Sequence, residues 1–318
     1  MDISKAWWKK ILLILKLTGR RALKKCVNIG RSINFMRILI TGAAGRLGGR
    51  LVDILRPSHD VISPTHNELD ITDFPVVRDF IQAHQPDIVL HPAAWTDVDG
   101  CAKEPDKAII INGYGTQNVA IASYEIGAAI LYVSSNEVFD GGNNHPYREY
   151  DSPNPINPYG YSKYVGERAV LSLNPRHYIV RTSWLFAHGG KNFLQAILNA
   201  AELGKPLRVV TDEVANPTYN DDLAIAIAQL IEIGRYGIYH LVNEGAVSRY
   251  NFARYVLNHA GYTDIPIQPI SSREWVRASR PPVYAELANT AARQIGITLR
   301  NWREAVNAFL EREGLDAG

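Results

Sequence analysis

Arg37-Ile38-Leu39-Ile40-Thr41-Gly42-Ala43-Ala44-Gly45-Arg46-Leu47-Gly48 is the stretch whose reading decides the fold. A short apolar run reads as a buried strand. Three glycines follow at intervals of three, and a helical pattern opens behind them. Glycine allows the backbone to turn tightly and lets phosphate oxygens reach backbone N–H groups. The helix N-terminus adds partial positive charge. A three-glycine pattern alone is weak, but the strand–turn–helix setting makes it a nucleotide-binding expectation. It is carried by Gly42, Gly45, Arg46, Leu47 and Gly48.

Working outward, the same rhythm repeats. Ile88-Val89-Leu90-His91, Ile130-Leu131-Tyr132-Val133 and Tyr178-Ile179-Val180-Arg181 read as strands, with amphipathic stretches such as residues 108–125 between them. Strands alternating with helices imply an α/β fold, a Rossmann-like doubly wound parallel sheet. After about residue 185 the rhythm loosens. The expected division is therefore a mainly nucleotide-binding domain over 36–185 and a mainly substrate-binding lobe over 186–318, with some segments returning to the first. Pro146, Pro153, Pro155 and Pro158 make residues 141–158 irregular. That loop either shapes a pocket or merely connects.

With 318 residues, 46% hydrophobic and 21% charged, the chain has the composition of an ordinary globular protein. Cys26 and Cys101 do not form a metal-ligand spacing, and so few cysteines fit a reducing, cytoplasmic setting. The net charge of +2 hides an asymmetry. Residues 1–35 hold nine basic side chains against Asp2, so the remainder carries −6. A mildly acidic body argues against nucleic acid as the partner. The leading segment has an apolar run, Ile11-Leu12-Leu13-Ile14-Leu15, too short to span a bilayer. It reads either as a disordered tail or upstream translation artefact outside the fold, or as a basic amphipathic helix touching a membrane surface.

Tyr159-Gly160-Tyr161-Ser162-Lys163 places a tyrosine and a lysine four apart, on one helix face. A neighbouring cation is expected to lower the phenol pKa and let it exchange a proton near neutral pH, as carbonyl reduction requires. Ser135 closes an apolar strand one unit earlier, where ligands of such sheets lie. Its hydroxyl can meet the reacting carbonyl. Behind the second strand stand Ser63, Pro64, Thr65 and His66, not an acid for a ribose diol. Arg46 can meet a 2′-phosphate, which favours NADPH over NADH.

The glycine spacing resembles that of extended short-chain dehydrogenases/reductases. From Met36 to about Leu310 the chain resembles the dTDP-4-dehydrorhamnose reductase family and its sugar-nucleotide reductase relatives. Shared stretches are Leu69-Asp70-Ile71-Thr72-Asp73, Pro92-Ala93-Ala94-Trp95-Thr96-Asp97-Val98-Asp99, Arg181-Thr182-Ser183-Trp184 and Val210-Thr211-Asp212-Glu213-Val214-Ala215-Asn216-Pro217-Thr218. Glu104-Pro105, Asn112, Arg280-Pro281 and Trp302-Arg303-Glu304-Ala305 also fit. The resemblance implies a cofactor site at the glycine loop, Asp70, Ile71, Ala93, Ala94, Thr96, Tyr159 and Lys163. It implies a substrate site at Val98, Ser135, Asn136, Trp184, Asn216 and Arg280. Catalysis would fall to Tyr159, Lys163 and Ser135. The expected reaction is NAD(P)H-dependent reduction of the 4-keto group of a nucleotide-activated deoxysugar, dTDP-4-dehydro-L-rhamnose first. A homodimer is a superfamily expectation.

The chain departs from the family at Ser134-Ser135-Asn136-Glu137-Val138-Phe139, where relatives carry Ser-Thr-Asp-Tyr-Val-Phe. Asn136 removes a charge and Glu137 adds a carboxylate, which puts substrate identity in question more than reaction type. Some relatives use a glutamate at the position of Arg50 in a metal-linked dimer, so no metal is expected here. Two alternatives follow. One is a sugar-nucleotide epimerase or dehydratase, which recycles its cofactor. The other is a non-catalytic regulatory subunit resembling that of methionine adenosyltransferase.

Overall fold

The computed structural model describes residues 35–190 and 192–315. The expectations for the leading segment fall outside them, apart from Phe35. The strands, in chain order, are Arg37–Ile40 (β1), Asp60–Ile62 (β2), Ile88–His91 (β3), Ala129–Ser135 (β4), His177–Thr182 (β5), Leu185–Phe186 (β6), Leu207–Val210 (β7), Val214–Ala215 (β8), Thr218–Tyr219 (β9), Gly237–His240 (β10), Val247–Ser248 (β11) and Ile267–Ile270 (β12). Six of them form the central sheet in the order β10-β5-β4-β3-β1-β2, every pairing parallel. The chain therefore winds outward from β1 in both directions. The β1/β3 junction is the point where the order reverses, and crevices open there beyond the strand ends.

Both faces of the sheet are covered, which is why β3 and β4 are buried along their whole length rather than alternating. One face packs on the helices Arg46–Leu55 and Asn220–Ile233. Leu47, Leu51 and Leu55 recur at helical spacing and are all buried. Each such leucine contributes about 1.5–3 kcal/mol by leaving water. The other face receives Val77, Ile81, Val119 and Val170 from three further helices. Asn220–Ile233 and β10, both from beyond residue 185, belong to this core and its sheet.

The rest of that half builds a lobe from two-stranded pairings: β11 with β8, β12 with β7 and β6 with β9. Its core gathers Phe186, Leu194, Phe252, Trp302 and Phe309. No helix among the described residues is long and apolar enough to cross a membrane.

Candidate active site

The glycine loop shows why its residues are glycines. Gly42 has φ +61°, and a Cβ there would come within 2.9 Å of the Ala93 backbone. A Cβ on Gly48 would stand 2.3 Å from the Gly42 carbonyl oxygen. Gly45 caps the helix Arg46–Leu55, and its N–H donates to Gly42 O at 2.9 Å. The loop is thus folded down on the helix and against the turn after β3, which leaves backbone N–H groups at a helix N-terminus facing a cleft.

That cleft encloses about 1160 Å³, room for an extended ligand. The loop residues Gly42, Gly45, Arg46, Leu47 and Gly48 line it, together with Asp70 and Ile71, and Ala93, Ala94, Thr96 and Val98. Pro64, Thr65 and His66 close the end behind β2, with no carboxylate among them. Ser135, Asn136, Tyr159, Lys163 and Trp184 line the other part.

The helix Pro158–Leu173 sets the tyrosine and lysine. Proline at its first position has the required φ and no N–H to satisfy. The Asn157 side chain caps it, accepting from Gly160 N at 2.8 Å. The amide of the same side chain donates to Glu137 Oε2 at 2.7 Å and to Arg280 O at 3.3 Å. Gly160 has no choice of residue. A Cβ there would lie 1.9 Å from the Glu137 carbonyl oxygen.

Ser135 ends β4. Its hydroxyl donates to Asn136 Oδ1 at 3.3 Å and accepts from Glu137 N at 3.2 Å. Asn136 is held in turn, donating to Ala285 O at 3.2 Å.

The expected lowering of the Tyr159 pKa is not what this arrangement gives. Burial pushes the phenol up, the Glu137 carboxylate adds to the rise, and the Ser135 hydrogen bond only opposes them. Lys163 is buried, and burial drives its ammonium down to about 7, with Glu167 and Cys101 opposing. Its Nζ sits 4.3 Å from the centroid of the Tyr132 ring, a cation–π contact. A proton donor in a reduction must carry its proton beforehand, and the buried phenol does so here.

Asn112 lies in a π-helical turn, Ile109–Tyr114, a distortion frequent near functional sites. Rather than bonding within its helix, its side chain accepts from Trp95 N at 2.7 Å and donates to Trp95 O at 3.0 Å and Ser162 Oγ at 2.9 Å. It ties the turn after β3 to the tyrosine helix.

Two of the expected substrate residues are not brought to the cleft. Asn216 is buried in the lobe, donating to Asn243 O and Gly245 O at 3.3 Å each and accepting from Leu287 N at 2.8 Å. It fastens loops together. The Arg280 side chain is exposed, and only its carbonyl reaches inward, to Asn157. Residues 141–158 do not line the cleft either. They connect, with Tyr147 N donating to Glu286 O at 2.8 Å. Asp70 does not cap the next helix, since Asp73 does. Its carboxylate accepts instead from Thr72 N and Oγ1.

A charged group that the sequence did not announce stands beside Trp184. The Arg249 guanidinium lies 3.7 Å from the Trp184 ring centroid and 3.4 Å from Glu213 Oε2. Arg277 bridges Glu213 at 3.8 Å and Asp99 at 3.5 Å. Trp184 itself has φ +42°, a strained value for a bulky residue. Arg249 lines the cleft. Only its place at the start of the helix Arg249–His259 could have marked it.

A doubly wound sheet, a glycine loop at its switch point and a serine–tyrosine–lysine cluster at the strand ends define a nucleotide-binding protein of the short-chain dehydrogenase/reductase class. The model of the RmlD substrate binding domain matches residues 36–314. The chain is 39% identical to spore coat polysaccharide biosynthesis protein SpsK of Bacillus subtilis, over 86% of this chain and 97% of that protein. It is 36% identical to dTDP-4-dehydrorhamnose reductase of Mycolicibacterium smegmatis, over 85% of this chain and 84% of that protein. The crystal structure of dTDP-4-dehydrorhamnose reductase from Bacillus anthracis in complex with NADP superposes with a TM-score of 0.85 at 36% identity, covering 88% of this chain and all of that one (100%). The chain belongs to the dTDP-4-dehydrorhamnose reductase (RmlD) family.

Proposed function

We propose that this protein is an NADPH-dependent reductase of the 4-keto group of a dTDP-activated deoxysugar, dTDP-4-dehydro-L-rhamnose above all, acting in the cytoplasm. The observation that carries the reading is the single cleft that joins the glycine loop to Ser135, Tyr159 and Lys163. The loop fits a dinucleotide because any Cβ at Gly42 or Gly48 would collide with backbone. Pro64, Thr65 and His66 at the cleft end behind β2, with Arg46 within the cleft, fit the 2′-phosphate of NADPH.

When bound, the reduced nicotinamide supplies the hydride. Tyr159 gives its proton to the alkoxide left at C4. Ser135 turns its hydroxyl from Asn136 to the substrate carbonyl and stabilises the developing charge. Lys163, four residues beyond Tyr159 on the same helix, would hold the nicotinamide ribose and, when protonated, favour the phenolate left by proton transfer. Trp184 packs against the sugar.

The test is NADPH oxidation by purified protein with dTDP-4-dehydro-L-rhamnose, wild type beside Tyr159→Phe. Stoichiometric cofactor consumption that disappears in the variant is expected. Product without net cofactor consumption would indicate an epimerase or dehydratase. Biological activity untouched by Tyr159→Phe would indicate a binding-only subunit.

A further inference from the structure

Glu137 has a position and a chemistry that proton and hydride transfer leave unused. It follows Ser135 by two residues, in the 3-10 turn Asn136–Val138, and its side chain is half-buried on the cleft wall. Oε2 accepts from Asn157 at 2.7 Å. A carboxylate has about four acceptor positions, so one such bond leaves most of its capacity directed elsewhere. Its electrostatic neighbours are Arg277, Arg249 and Glu213, all from the lobe, and Tyr159 and Cys101 on the sheet side. Burial holds its carboxyl above the usual range, while Asn157 and the two arginines pull the other way. The position is therefore on the cleft wall between the end of β4 and the cap of the tyrosine helix.

A half-buried acceptor on the wall of a cleft reads hydrogen-bond donors. We infer that Glu137 is a specificity-determining residue that accepts a hydrogen bond from a ring hydroxyl of the sugar beside the reacting carbonyl. The inference rests on the sugar-nucleotide reading above. Asn157 aims the carboxylate, and the close seat of Gly160 on the Glu137 carbonyl fixes the turn that carries it. The side chain at 137 thus selects sugars that keep a hydroxyl at C2 or C3, whereas Ser135 and Tyr159 handle the carbonyl they all share. A site that offers a buried acceptor discriminates strongly against a ligand without the matching donor.

The experiment compares binding at saturating NADP. dTDP-L-rhamnose and dTDP-sugars lacking the C2 or the C3 hydroxyl are titrated into wild type, Glu137→Gln and Glu137→Ala by calorimetry, with turnover of the matching 4-keto sugars measured alongside. Wild type is expected to prefer the fully hydroxylated sugar over one deoxy analogue by about 10- to 100-fold, the range of a hydrogen bond to a charged group. Glu137→Ala should bring that ratio close to one. Glu137→Gln, which keeps shape and one acceptor, should retain part of it and serves if the alanine variant does not fold. An unchanged ratio in both variants, with affinity for all sugars falling together, would make Glu137 merely structural and overturn the inference, as would wild type that binds none of the sugars. Wild type that shows the ratio in binding but no turnover would overturn the reductase reading and leave Glu137 its role.

Discussion

The two ends of the cleft are made of different materials. Around Gly42, Gly45 and Gly48 the wall is backbone, shaped by the absence of side chains. Around Trp184 it is side chains: Arg249 lies on the ring among Phe186, Phe193 and Phe252, and is paired behind the wall with Glu213, from which Arg277 reaches across to Asp99. A backbone wall suits a ligand part that never changes, since N–H groups point where the fold sends them. A wall of side chains held by ion pairs suits a part that differs between relatives, because one substitution alters it without touching the sheet.

If that contrast is right, changes at the two ends should separate in their effects. The largest effect belongs to the junction. Tyr159→Phe should lower kcat by about 100- to 10,000-fold, the range of a lost proton donor, with NADPH affinity nearly intact by fluorescence titration. Gly48→Ala comes next. Its Cβ has no room against the Gly42 carbonyl, so the loop must shift. NADPH affinity should fall by at least about tenfold, while strain of about 1–3 kcal/mol lowers the melting temperature. Arg249→Ala should do the reverse, raising KM for the sugar nucleotide about 10- to 100-fold and leaving the Kd for NADPH within about twofold. Equal losses for both ligands in either variant would break the division.

The smallest effect is one of pH. With its ammonium driven down to about 7, Lys163 binds fewer protons in the folded than in the unfolded protein between pH 7 and its ordinary value. Stability of the cofactor-free protein therefore rises with pH in that window, and the gain is absent below pH 7. Cys101, held up to about 11, works against it only above pH 9. Denaturation at pH 7 and 8.5 should show a Lys163 contribution of about 1 kcal/mol per pH unit, missing in Lys163→Met.

The same contrast explains what could be read from the chain. The backbone end was legible because only glycine satisfies it, and three glycines between an apolar run and a helix leave few alternatives. Tyr159 and Lys163 were legible because a helix fixes the separation of positions four apart. The lobe end was not. Arg249, Glu213, Arg277 and Asp99 come from four separate segments, and no local pattern announces that they meet. Asn216 and Arg280 show the converse. Family-like neighbours in sequence suggested the cleft, but a stretch of chain does not reveal which way each side chain turns, and these two turn into the lobe and to solvent. The direction of the Tyr159 shift is likewise not legible, because the spacing shows the cation but neither the burial nor the Glu137 carboxylate.

The contact between Gly160 and the Glu137 carbonyl reaches further than local packing. It leaves no slack between the turn that carries residues 135–137 and the first turn of the tyrosine helix. The two behave as a machinist's jig, in which the workpiece is always presented at one angle. Whatever side chain stands at 137 rides on that jig without loosening it. A lineage could therefore exchange the tool at this position and take up new sugars while the chemistry beside it stays aligned.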